Sequence, residues 1–234
     1  KGKSLDAPIH DFVFKGITVE HSTWLRASEE GLVHGQAGQY LVDGSVYETN
    51  DIKVTPAPGA VHIENAQYVR FDGNHVRYTG AVGILMASGT KEVTLVNNEV
   101  EETAGNGIEI GKFVVDDKTD YHTAYNPDDI REVCTNDRIL NNKIHDIGTQ
   151  YEGAVGIGAG YVQGIMIANN TVYNCPYTGI SVGYGWTSDA NPMKYNSIIR
   201  NEVYNVNNVV CDGGAIYTLS LIHISAPTRQ EAIS

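Results

Sequence analysis

Two short elements alternate along the chain. One is an Asn followed two residues later by Val or Ile: Asn74-His-Val76, Asn98-Glu-Val100, Asn142-Lys-Ile144, Asn170-Thr-Val172 and Asn201-Glu-Val203. Apolar and polar positions alternate just before most of these, as at Val69/Phe71, Val93/Leu95 and Ile165/Ile167. The other element is a Gly that heads an apolar alternation, at Gly59, Gly83, Gly107, Gly156, Gly179 and Gly214. Gly59, Gly83 and Gly107 are spaced 24 residues apart. Period-two alternation predicts short strands with one face inward, two or three to each period, and no helical pattern of useful length interrupts them.

Strand-only coils of this length, with Gly and Asn at fixed corners, predict an all-β fold: a single right-handed parallel β-helix over residues 1–219. Coils stack at the strand spacing of about 4.8 Å, so like residues lie over like and the inward Ile, Val, Leu and Phe bury one another in columns. The corner asparagines suit left-handed backbone and side-chain hydrogen bonding along a ladder, which makes them scaffold. The acceptor pattern Asn169-Asn-Thr171 falls in that column and is read as part of it.

In a solenoid, function sits in the insertions. Two insertions, 111–137 and 184–196, follow Gly-headed strands and are expected to lie side by side at one corner. Two further loops, 145–155 and 204–212, precede Gly-headed strands and are expected at the opposite corner. Together they would wall a groove whose floor carries Glu109, Gly158, Ser181 and Ile216, the small residues leaving room for a ligand. Aligning Gly214 with Gly179 sets Asp212 one coil above Tyr177 at the groove edge, with Glu152 two coils below Asp212. Tyr161, Tyr177, Tyr184, Tyr217 and Trp186 are the candidate aromatic contacts, because rings with polar tips suit a wet binding surface. Trp24, far away in sequence, is expected in the core.

Charge narrows the partners. The net charge is −12, from 16 Lys+Arg against 28 Asp+Glu, and the basic residues are scattered singly. Nucleic acid and anionic membrane surfaces are thereby disfavoured. No apolar run reaches a membrane-spanning length, and the first residues lack the apolar stretch of a leader. Cys134, Cys175 and Cys211 match no metal or redox spacing and are expected to be small buried residues. No cofactor is predicted. The acidic run Asp116, Asp117, Asp120, Asp128 and Asp129 is the one place calcium could bind, though without the ordered spacing of an EF-hand loop. The chain is expected to be a monomer.

A rim carboxylate in such a groove points to chemistry on sugars. Retaining glycosidases place two carboxylates about 5–5.5 Å apart and inverting ones about 6.5–9.5 Å apart. Adjacent and next-but-one coils supply both spacings, so Asp212 with the following coil suits retention and Asp212 with Glu152 lies nearer inversion. A lyase would instead need basic residues over the floor, for which Lys112 and Lys194 are the candidates; a binding or adhesion module would use the aromatics without chemistry.

The runs YEGAVGIGAGYVQGIMIANNTVYNCPYTGISVGYGW and NEVYNVNNVVCDGGAIYTL, with FVFKGITVEHSTWL and GLVHGQAGQY earlier, resemble bacterial β-helix proteins of glycoside hydrolase family 141 over residues 9–219. That resemblance implies fucosidase or xylanase activity on a plant-type poly- or oligosaccharide, in an extracellular or periplasmic setting. It also implies that Asp212, in the DGG motif, is one catalytic carboxylate and that its partner lies in a following coil. After Leu219 neither repeat element recurs, so residues 220–234 are expected not to complete a coil and to differ from the protein's own continuation. On that reading the 234-residue chain is expected to be inactive by itself.

Overall fold

The computed structural model describes residues 1–25, 40–41, 54–113, 123–185 and 187–219. The alternation predicted from sequence becomes coils of three or four short strands. The first coil contains β1 (Ile9–His10), β2 (Val13–Lys15), β3 (Thr18–Ser22) and β6 (Gly59–Ile63); β4 (Tyr40–Leu41) and β5 (Val54–Thr55) pair antiparallel between them. The second holds β7 (Ala66–Gln67), β8 (Arg70–Asp72), β9 (His75–Thr79) and β10 (Val82–Met86). The third holds β11 (Thr90–Lys91), β12 (Thr94–Val96), β13 (Glu99–Thr103) and β14 (Ile108–Ile110). Then follow β15 (Arg138–Leu140), β16 (Lys143–His145) and β17 (Ile157–Ala159); β18 (Met166–Ala168), β19 (Thr171–Cys175) and β20 (Ile180–Val182); and β21 (Ser197–Ile199), β22 (Glu202–Val206) and β23 (Ile216–Thr218).

Corresponding strands stack into three six-stranded parallel sheets. The first is β2-β8-β12-β15-β18-β21, the second β3-β9-β13-β16-β19-β22, and the third β6-β10-β14-β17-β20-β23. The core is columnar. Phe14, Phe71, Leu95, Ile139, Ile167 and Ile198 share one register line, and Val19, Val76, Val100, Ile144, Val172 and Val203 share another. Each inward residue thus meets its own kind above and below, which fills the interior without a second layer of secondary structure.

The asparagine ladder forms. The Oδ1 of Asn98 accepts from the backbone N–H and Nδ2 of Asn74 at 2.9 and 3.1 Å. Asn142, Asn170 and Asn201 repeat this for Asn98, Asn142 and Asn170. Every ladder Nδ2 also donates to a main-chain carbonyl, such as Leu95 from Asn142. The left-handed residues, however, are those just before: Gly73, Asn97, Asn141, Asn169 and Arg200, with φ of 62°, 56°, 53°, 55° and 52°. Two jobs expected of one asparagine are therefore split between neighbours. The pattern Asn169-Asn-Thr171 is re-read accordingly: Asn169 is exposed and left-handed, and Asn170 is the ladder member.

The Gly column also needs a correction at both ends. Val82 pairs with Gly59 and Ile180 with Ile216, so the stacked positions are Ala60, Gly83, Gly107, Gly156, Gly179 and Ala215. A one-residue slip exchanges the faces of a strand, so matching glycines by identity had inverted the first and last coils. The inner glycines are fixed by close approach. A Cβ at Gly107 would lie 2.5 Å from Ile144 Cγ2 and 2.7 Å from the Gly156 carbonyl, and one at Gly156 would lie 2.6 Å from the Gly179 carbonyl and strike Val172 Cγ1. Gly156→Ala is accordingly expected to cost about 3 kcal/mol, from overpacking against backbone that cannot yield. Urea unfolding checks this; a midpoint equal to that of the parent chain would refute it.

Candidate functional site

The outward line on the third sheet is His62, Leu85, Glu109, Gly158, Ser181 and Tyr217. Tyr217 occupies the place assigned from sequence to Ile216, which instead follows the inward line above Ile180. The insertions do emerge at one corner and pack together. Phe113, Tyr125, Val133, Tyr161 and Tyr184 form one buried cluster, with Met193 against it.

That packing changes the expected open groove. Leu85, Glu109 and Ser181 are 6%, 0% and 8% exposed, because loops from both corners fold over the middle of the sheet. The room left by Gly158 is taken up by Val155 and by the Phe113 ring, whose Cζ would be 3.5 Å from a Cβ there. Tyr161, Tyr177 and Tyr184 are 1%, 3% and 7% exposed; they are loop packing, not open stacking faces. The Tyr184 ring stands edge-on to Phe113 at 5.0 Å, and Tyr161 tilts against Tyr125 at 6.2 Å. Burial pushes the Tyr161 hydroxyl up to about 12. Glu109 accepts from Asn106 Nδ2 at 2.8 Å inside this layer. Trp186 lies outside the described residues.

The last described coil carries the Asp212 corner. The loop from Asn207 to Ala215 lies on the preceding corner: Asn207 N–H donates to the Tyr177 carbonyl at 2.8 Å, and the amides of Val209 and Val210 share the Pro176 carbonyl at 3.0 and 3.1 Å. The Tyr177 hydroxyl donates to the Asp212 carbonyl. A Cβ at Gly213 would collide with Thr178 Oγ1 and lie 2.6 Å from Tyr177 Cε2, so this glycine is what lets the loop lie flat. The corrected register sets Gly213, not Asp212, over Tyr177. Asp212 is exposed, and its backbone is pinned through its carbonyl, which accepts from Tyr177. Burial first, and then the Asp212 charge, raise the Tyr177 hydroxyl above its ordinary value. Glu152 is exposed on the turn after Tyr151, in the loop two coils earlier.

Sequence reading missed a second surface. A pocket of about 400 Å³ lies where the second and third sheets meet, lined by Trp24, Leu25, Tyr78, Glu102, Thr149 and Gln150 among others. Trp24, expected in the core, is half-buried there, edge-on to Tyr151 at 5.9 Å. Also missed was the outward face of the second sheet, where Glu99, Glu101 and His145 converge. The signal was present, since these residues alternate with the inward valines and isoleucine of the Asn-x-Val/Ile element.

Two other expectations need amending. Cys134 and Cys175 are buried as expected, and burial pushes both thiols up to about 12, but Cys211 is exposed. Within the acidic run, Asp129 caps a short 3-10 turn (Ile130–Glu132) and pairs with Arg131 at 2.6 Å; Asp116, Asp117 and Asp120 lie outside the described residues.

Residues 59–223 match the family model described as the right handed beta helix region. A solved structure titled "Glycoside hydrolase" superposes with a TM-score of 0.82 at 30% identity. The match covers 93% of this chain and 38% of the other, so the chain spans well under half of that protein's length. No curated protein matches.

Proposed function

This chain belongs to the right-handed β-helix family, and from that premise we propose that it is the carbohydrate-facing part of a glycoside hydrolase, with Asp212 as one catalytic carboxylate. The observation that carries the reading is the likeness to a solved glycoside hydrolase, at 30% identity across 93% of this chain. The Asp212 corner supports it: an exposed carboxylate residue on a loop held to the preceding corner by hydrogen bonds to Tyr177 and Pro176. A second carboxylate makes this a hydrolytic pair. One on a following coil suits retention, and Glu152, about 10 Å of coil rise away, lies nearer the inverting spacing. A plant-type poly- or oligosaccharide of the family 141 class, met outside the cytoplasm, is the substrate in this reading. A lyase is less well supported, because Lys194 holds its ammonium over the Tyr195 ring at 5.8 Å.

The test is reducing-end release from a panel of plant glycans by the complete product of the gene, with and without Asp212→Asn. The carboxamide is nearly isosteric and cannot act as acid, base or nucleophile. Activity is expected to fall about 1,000-fold while glycan affinity changes little. Undiminished turnover by the variant would remove Asp212 from the mechanism.

A further inference from the structure

The outward face of the second sheet carries a site that the proposed glycan chemistry does not use. We propose that Glu99, Glu101 and His145 bind a divalent first-row transition-metal cation, with Zn²⁺ as the probe. Strand register brings the three together. Val100 points inward, so Glu99 and Glu101 on either side of it point outward, and pairing sets His145 beside Glu101. One donor atom from each lies within 4.8 Å of the other two. His145 Nε2 is 3.2 Å from Glu99 Oε1 and 3.7 Å from Glu101 Oε2. A tetrahedral ion with bonds of about 2.1 Å holds its ligand atoms about 3.4 Å apart, midway between those values.

The imidazole is set up as a ligand. Its side chain is only 6% exposed, and its ring is stacked on Tyr173 at 4.7 Å and 2°. The Nδ1 is 2.6 Å from Asp146 Oδ2. A carboxylate can only accept, so Nδ1 donates to Asp146, which fixes the ring with Nε2 facing two carboxylate oxygens, Glu99 Oε1 and Glu101 Oε2. A proton can serve only one oxygen at a time, whereas a metal ion at the centre serves all three donors. The local charge agrees: Glu99, Glu101 and Asp146 face the Lys143 ammonium, 2.7 Å from Glu99 Oε1, while the Arg77 guanidinium, register neighbour of Glu101, is itself paired with Glu20 at 2.7 Å. Lys143 and His75, the latter 2.8 Å from Glu101 Oε1, compete for the same carboxylates. The lysine side chain is 49% exposed and free to swing away.

The experiment is calorimetric titration of the chelator-stripped chain with Zn²⁺ at neutral pH, with Co²⁺ absorption reporting nitrogen and oxygen ligation. One saturable equivalent is expected. Glu101→Gln and His145→Gln should each weaken it at least about tenfold, and Asp146→Asn about tenfold through the imidazole it orients. Lys143→Met should tighten it severalfold, because the competing ammonium beside Glu99 is gone. Glu101→Gln is on the partly exposed side of the cluster and keeps the test open should His145→Gln fail to fold. No saturable binding up to about 1 mM Zn²⁺, or binding that Glu101→Gln leaves unchanged, would overturn the proposal. No sugar enters the measurement, so its failure leaves the glycosidase reading untouched.

Discussion

Asp137→Asn is expected to stabilise the chain by about 4 kcal/mol above pH 7 and to leave it unchanged near pH 4. Asp137 is fully buried at the corner leading into β15. Its Oδ1 accepts from the Val93 amide at 2.8 Å and its Oδ2 from the Thr90 hydroxyl at 2.6 Å. Burial outweighs those two donors and pushes the carboxyl up to about 7. The ordinary value in an unfolded chain is about 3.9. Between those values the folded state holds a proton that the unfolded state has released, so stability falls as pH rises through the window. The cost is complete once the folded carboxyl has ionised. Two coils later Asn196 does the same work without an ionisable group: its Oδ1 accepts from the Ile165 amide at 3.1 Å and its Nδ2 donates to the Val162 carbonyl. An amide at 137 keeps the acceptor for Val93 and can donate to Thr90 Oγ1. Denaturant midpoints from pH 4 to pH 8 measure the effect. Parallel pH profiles for parent and variant would show that Asp137 is not the source.

Asn142→Ala is the largest loss expected, about 4 kcal/mol, a large share of the stability of a domain this size. The side chain is 2% exposed. Removing it strands the backbone N–H and Nδ2 of Asn98, both of which donate to Asn142 Oδ1 at 2.9 Å, and takes away the Nδ2 donor to the Leu95 carbonyl. Asn142→Asp should be nearly as damaging at neutral pH and partly recover in acid, because ionised oxygens would face the Leu95 carbonyl and Asn170 Oδ1, both acceptors. Asn141→Gly is the control. With φ at 53° that position asks only for left-handed backbone, and Gly supplies it. Thermal melts of the three variants separate ladder from corner; equal losses at 141 and 142 would contradict the division of labour.

Much of the scaffold was legible because coil stacking makes distant residues equivalent. A position repeats its chemistry when the same position in the coils above and below is its environment. Thus Val100, Ile144 and Val172, or Asn98, Asn142 and Asn170, announce themselves as columns. The Asp212 corner was half legible. Its glycines signalled a tight approach, and Gly213 meets Tyr177 and Thr178 closely, but Gly214 has no neighbour nearer than 3.3 Å to a Cβ.

By itself, the sequence determined that this chain is a stack of β coils with an asparagine ladder and aliphatic columns, since these follow from a one-dimensional period. Only the tertiary structure decided the register of the first and last coils, where Ala60 and Ala215 stand in the Gly column and no residue identity marks the phase. It alone decided that Tyr161, Tyr177 and Tyr184 are packing and that Phe113 fills the space over Gly158. The reason is common to both. Inserted loops make their contacts across the repeat, with partners that no period relates, and such contacts leave no mark in the spacing of residues along the chain.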